Sequence, residues 1–282
     1  MSKIAVIGIA GESVFLSVDS FGVTGETTVA NSFYSELGGK GFNQAIAAAR
    51  YGAKVSFLGA CYQADKEKFS QVAKVRGVNP FFVGKSECSP YAVITTDKNG
   101  ENKVCVYRGA ELTVDDIEGF AEEIKTADIL LINNETPIAV NEKAVGIAKQ
   151  NGVQVVLNPA PARKHEKKFL DKIDLFTPNE HETDGLDEYQ NVIVTLGEKG
   201  CLIKNAGEII PAVKVEKVVD TTGAGDTFNG VLSACIANGD DIQTACKKAN
   251  IASAIKVTRK YILDGIPTRE EIEKYEKEQK NG

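Results

Sequence analysis

The sequence predicts an α/β protein: a mostly parallel sheet flanked by helices on both faces, with a small β lid. Three observations carry this expectation. Short apolar runs alternate with helix-like segments along most of the 282 residues, as in parallel strands covered on both sides. Two segments, about 14–34 and 91–107, break that rhythm with β-branched and aromatic residues. Glycine-rich stretches at 38–41 and 223–225 stand directly before helical patterns.

Taken in order, KIAVIGI (3–9) reads as a buried first strand. Its apolar run is short and meets Glu12, unlike a signal peptide. NQAIAAARYGA (43–53) reads as a helix closed near Gly52, and VSFLGAC (55–61) as the next strand. Residues 65–76 have helical periodicity, with Phe69, Val72 and Val75 on one face. ADILLIN, VQVVLNP, DLFTPN and NVIVTLG are further strands, with helices at 138–151 and 240–258. In YAVITTDKNGENKVCVY (91–107), two strands flank a turn marked by Asn99-Gly100. The terminal REEIEKYEKEQKNG reads as a charged helix with a solvated face and a fraying end. No repeat or low-complexity linker divides the chain, so one domain over 1–282 is expected.

Composition narrows the function. Hydrophobic residues at 43% and charged residues at 26% are ordinary globular values and exclude a disordered or fibrous chain. The 33 basic and 39 acidic residues give a net charge of −6, which argues against nucleic acid or an anionic membrane as partner. No run of eighteen apolar residues exists, so no membrane span is expected. The six cysteines form no CxxC pair and mostly lie in apolar stretches. They read as reduced core thiols of a cytoplasmic protein. His165 and His181 are the only histidines, and neither joins a zinc-ligand cluster.

The most informative stretch is VVDTTGAGDTFNG (218–230). Gly223 and Gly225 allow backbone N–H groups to converge, with Ala224 between them, and a helix start behind them makes an anion hole for phosphate. Asp226, in the first helical turn, suits a general base acting on an attacking hydroxyl. The same residues would also serve as a plain turn and helix cap. A second stretch, SELGGKGFNQAIAAAR (35–50), is not a Walker A loop, because no Ser or Thr follows Lys40. Gly38, Gly39 and Gly41 let backbone approach a ligand closely, and Asn43 offers a donor and an acceptor to a hydroxyl pair. LNPAPAR (157–163), TPNEHE (177–182) and VTLGEKG (194–200) each follow a strand, where open α/β sheets bind ligands.

GGKGFNQAIAAARYGA, LNPAPAR, TPNEHE, VTLGEKG and DTTGAGDTFNG, in this order, resemble the motifs of the ribokinase-like (PfkB) carbohydrate kinases. The resemblance covers the chain from Lys3 to the TREEIEKY helix. It implies transfer of the ATP γ-phosphoryl group to a primary hydroxyl of a sugar, with Mg²⁺, beneath a β lid that often forms a homodimer contact. Asp226 matches the catalytic base, and Gly223, Ala224 and Gly225 the anion hole. Gly38, Gly39, Lys40 and Asn43 match the sugar-binding loop, and Glu135 a sugar-contacting acid. Asn179 and Glu182 match the motif that organises Mg²⁺ and phosphate through water. Thr195, Gly197 and Gly200 match the nucleotide loop, and Asn250 lies where relatives contact adenine. Asp220 and Thr222 match part of a monovalent-cation site, where K⁺ is the expected ion.

Three departures stand out. Family members carry Asn and a sugar-gripping Asp after the first strand, and here GIAGESVF places Gly11 and Ser13 at those positions. A serine offers less to vicinal hydroxyls than a carboxylate does. Only nine residues, 183–191, join two strands, too few for a helical crossover. In VTRKYILDGIP, Tyr261 and Ile262 replace the family's Gly-Ala after Lys260, a departure within the K⁺ loop. The reading is an ATP-dependent sugar kinase. Its rivals are a nucleoside kinase on the same fold and a sugar-binding sensor without turnover.

Overall fold

The central sheet begins with β1 (Lys3–Ile7), whose residues after Lys3 are all buried. β2 (Gly11–Ser17) and β3 (Ser32–Gly38) leave for a second sheet, and α1 (Lys40–Arg50) returns the chain to the body. β4 (Lys54–Tyr62), α2 (Lys66–Lys74) and β5 (Val78–Lys85) follow. The hairpin β6 (Tyr91–Thr96) and β7 (Asn102–Tyr107) rejoins the second sheet. A 3₁₀ segment leads into α3 (Ala121–Lys125), β8 (Ile129–Asn133), α4 (Ile138–Gln150), β9 (Gln154–Asn158), α5 (Lys167–Leu170) and β10 (Leu175–Phe176). β11 (Ile193–Thr195), β12 (Cys201–Ile203) and β13 (Glu208–Ile210) precede α6 (Ala224–Ala237), α7 (Ile242–Val257) and α8 (Arg269–Asn281). The structure is a computed structural model and describes the backbone of residues 1–281 and the side chains through Glu278.

The six-stranded sheet runs β10-β9-β8-β1-β4-β5, and every pairing is parallel. One apolar layer packs α1, α2, α6, α7 and Ile272 of α8 on one face. The other packs the 3₁₀ segment, α3 and α4 on the opposite face. The lid is a four-stranded sheet, β3-β2-β6-β7, in which only β2 and β6 are parallel.

Several elements differ from expectation. The lid segment expected over 14–34 is two strands that start at Gly11 and end at Gly38, around a loop at 18–31. The start of β2 needs glycine at position 11, because a Cβ there would lie 2.2 Å from the Pro90 carbonyl oxygen. Val75 is 78% exposed, because α2 stops at Lys74, and Ala73 fills the core beside Phe69. NVIVTLG contains β11, which pairs antiparallel with β12 and meets the main sheet only through the bridges Phe176↔Val192 and Asn179↔Thr195. β5, β12 and β13 were not anticipated. The 183–191 link is made of turns without a helix, as its length dictates. Cys88 and Cys105 are exposed, while the other four cysteines are buried. The expected fraying after α8 concerns Gly282 and side chains beyond Glu278, which lie outside the described residues.

Candidate active site

Two glycine-led helix starts face each other at the carboxyl ends of the parallel strands. Gly223, at φ +77°, caps α6, and a Cβ on it would lie 2.7 Å from Ile262 Cγ2. Gly39, at φ +119°, caps α1 in a conformation that other residues rarely adopt. The first N–H groups of a helix have no intrahelical partner. Those of α6 border a cavity of about 860 Å³, whose lining includes Ala224, Gly225 and Asp226.

Asp226 sits in the first turn of α6 and is buried. Its Oδ2 accepts from Asn43 Nδ2 at 2.8 Å and its Oδ1 from Gln44 Nε2 at 3.4 Å. Gln44 Nε2 also donates to Asn158 Oδ1 at 3.0 Å, and Asn158 Nδ2 to the Thr177 carbonyl at 2.8 Å. Asn43, read from sequence as a sugar ligand, thus spends its amide nitrogen on the carboxylate opposite. Its Oδ1 is buried without a partner. Gln44 and Asn158 complete the clamp, and Gln44 was not singled out by its motif.

Lys40, the first residue of α1, joins Asp226, Asn179 and Glu182 in the cavity wall. The carboxylates of Asp226, Glu135 and Glu182 hold its ammonium pKa above the usual lysine value, against the opposing effect of burial. Glu135 follows β8, and its Oε2 accepts the Lys40 backbone N–H at 2.8 Å, so it caps α1. Burial pushes the Glu135 carboxyl up to about 7, with Lys40 pulling the other way.

Asn179, Glu182, Thr195, Gly197, Gly200 and Asn250 all line the cavity. Glu182 Oε2 accepts the Asn179 N–H at 3.0 Å, and Asn179 Oδ1 accepts the His181 N–H at 2.8 Å. Gly200 is obligatory, because a Cβ there would lie 2.1 Å from the Ile210 carbonyl oxygen. Asn250 is also a structural link. Its Nδ2 donates to the carbonyls of Ile210 and Pro211 at 3.0 and 3.1 Å, tying α7 to the end of β13.

Gly38, Ser13 and Glu135 lie outside that wall. Ser13 on β2 pairs with Glu36 on β3, and its Oγ would be 2.8 Å from a Cβ at Gly38. Neighbouring Glu12 turns to Lys68 at 3.4 Å. Glu36, which the sequence did not single out, accepts from the backbone N–H groups of Ile262 and Leu263 at 2.7 and 3.0 Å. Tyr34 stacks on Tyr261 at 3.8 Å between ring centroids, and Tyr261 has φ +65°. The lid is thereby latched to the turn that packs on Gly223.

Asp220 and Thr222 do not form the open oxygen set expected of a cation site. Thr222 N–H donates to Asp220 Oδ1 at 2.9 Å. The ammonium of Lys256, fully buried, donates to the Asp220 carbonyl at 3.2 Å and lies 3.9 Å from Asp220 Oδ2. Burial draws the Lys256 pKa down, and the carboxylates of Asp220 and Glu36 oppose it.

The fold, an α/β body with a β lid, is that of a class of phosphotransferases. The family model described as pfkB family carbohydrate kinase matches residues 1–269, and the chain belongs to that family. It is 35% identical to the ribokinase of Haemophilus influenzae, over 95% of this chain and 96% of that one. It is 33% identical to the deoxyribokinase of Salmonella typhi, over 96% and 98% of the two chains. The crystal structure of ribokinase from Thermotoga maritima superposes with a TM-score of 0.87 at 32% identity, covering 98% of this chain and all of that one. The protein is a carbohydrate kinase.

Proposed function

We propose that the enzyme transfers the γ-phosphoryl group of ATP to the primary hydroxyl of a sugar, with Asp226 as the base. The observation that carries this reading is the placement of Asp226. It is buried, clamped by Asn43 and Gln44, and lines the large cavity together with Lys40, Ala224 and Gly225. A hydroxyl reaching Asp226 from the lid side meets a phosphoryl group arriving from the cavity side. Asp226 takes the hydroxyl proton as the oxygen attacks, a role that contributes typically ~10²–10⁴ in rate. The N–H groups of Ala224, Gly225 and Asp226 then face the charge on the transferring group, the electrostatic contribution on which phosphoryl transfer depends. Lys40, held charged by its three carboxylate neighbours, adds a cation at the same place. Asn43 Oδ1 is the acceptor left over for a substrate hydroxyl.

The cavity has room for a nucleotide, between the glycine loop 197–200 and α7. Asn179 and Glu182 supply only oxygen donors, which suits Mg²⁺ held through water. When bound, Mg²⁺ neutralises charge on the phosphates. The relatives named above as ribokinase and deoxyribokinase favour a pentose over a nucleoside. A second copy of the chain fits the lid, where Phe33, Val104, Val106 and Tyr107 are each more than half exposed.

Purified protein incubated with ATP, Mg²⁺ and a panel of ribose, 2-deoxyribose, hexoses and nucleosides tests the reading. ADP release with a pentose or hexose is expected. A nucleoside preferred by kcat/KM would move the protein to nucleoside kinases, and sugar binding without ADP release would make it a sensor.

A further inference from the structure

Lys256 is fully buried, and lysine is almost never so unless its charge is paired. It lies in the last turn of α7, where the helix carbonyl ends favour a cation. Its side chain runs against Gly265, where an added Cβ would approach Cδ and Cε to 2.9 and 3.2 Å. The glycine therefore leaves the corridor that the lysine fills. At its end, Nζ meets the Asp220 carbonyl at 3.2 Å and the Asp220 carboxylate at 3.9 Å.

Those two oxygens belong to the irregular segment that leads into α6. The N–H groups of Val219 and Asp220 both donate to the Val257 carbonyl, at 2.7 and 3.1 Å. Thr222 N–H closes on Asp220 Oδ1, and Gly223 caps α6 immediately afterwards. A free monovalent cation at Asp220 would need the place that the ammonium holds, and two like charges there would repel.

We propose that the Lys256 ammonium is a tethered internal cation that takes the place of a free monovalent ion at Asp220 and fixes the 220–223 loop, making turnover independent of K⁺. Lys256 is a positioning residue, since it acts on the anion hole through Asp220 and touches neither substrate. The inference rests on the kinase reading for its consequence in turnover, but its effect on nucleotide binding is measured separately.

The test compares chloride salts of K⁺, Na⁺ and tetramethylammonium at equal ionic strength. For the wild-type protein, kcat and ADP affinity by calorimetry should agree within about twofold across the three salts, because the internal cation is always present. The Lys256→Ala variant leaves a cavity beside Asp220. Without K⁺ its kcat should fall roughly tenfold or more, the scale of one lost charge-assisted contact, and K⁺ or NH₄⁺ should restore much of it while tetramethylammonium does not. A severalfold K⁺ activation of the wild type overturns the proposal. So does a Lys256→Ala variant that is fully active without K⁺, or one that folds by circular dichroism yet is rescued by no small cation. If Lys256→Ala does not fold, the wild-type salt comparison decides. If no sugar is phosphorylated, ADP affinity across the salts still decides, and the failure then belongs to the kinase reading.

Discussion

Asn43 and Asp226, 183 residues apart in the chain, share a 2.8 Å hydrogen bond in which the amide nitrogen donates to Oδ2. This bond joins the first turns of α1 and α6, the two helices whose glycine caps build the site. It leaves the Asp226 carboxylate oriented before any substrate arrives.

Replacing Asp226 with Asn keeps the volume but removes the basic oxygen. Asp226→Asn should lower kcat by ~10²–10⁴ and leave the ATP dissociation constant nearly unchanged. Steady-state kinetics and calorimetry check this together. Turnover within about threefold of wild type would show that Asp226 is not the base.

Glu36 holds the lid to the 261–263 turn through two backbone N–H groups. Glu36→Ala should loosen the closed lid and raise the sugar KM roughly fivefold or more, on the scale of hydrogen bonds to a charged group, while the ATP KM stays near wild type. Equal changes in both constants would instead indicate general damage to the fold.

By the register read from the sequence, Ser13 falls at the position of a sugar-gripping carboxylate, and neither nearby acid is free to replace it. Glu12 faces Lys68, and both oxygens of Glu36 are committed to backbone. Wild-type protein should therefore use ribose weakly. Ser13→Asp adds a charge-assisted acceptor of about 1.5–3 kcal/mol but sits opposite Glu36, a like-charge pair costing about 0.2–1 kcal/mol. The acceptor outweighs the repulsion, so kcat/KM for ribose should rise roughly fivefold. Efficient ribose phosphorylation by the unmodified protein, with a loss in Ser13→Asp, would refute the assignment.

Glu135 is raised to about 7 by burial. A carboxyl raised on folding favours the folded state fully below its unfolded value, near 4.5, and loses that contribution as pH rises through about 7. The melting temperature should therefore fall more between pH 5 and pH 8 for the wild type than for Glu135→Gln. The ionised form is also the better acceptor for a sugar hydroxyl, so the wild-type sugar KM should decrease through the same window. An identical KM profile in Glu135→Gln would remove Glu135 from sugar binding.

The sequence by itself determined the parallel sheet, the lid and the two glycine-led helix starts. Each rests on signals within about ten residues: apolar runs, strand alternation and glycine before a helical period. The motif order also placed Asp226 in the first turn of a helix, and the segments 177–182 and 194–200 after strands. Only the tertiary structure decided what those residues bind. Val75 points to solvent because its helix ends one residue earlier, and Asn250 is held by carbonyls about 40 residues away. Asn43 serves Asp226, Glu36 latches the lid to Ile262, and Lys256 fills the place beside Asp220. These are polar contacts between residues 36 to 226 positions apart. A hydrogen bond or buried charge selects its partner by distance in space, and local periodicity carries no record of it.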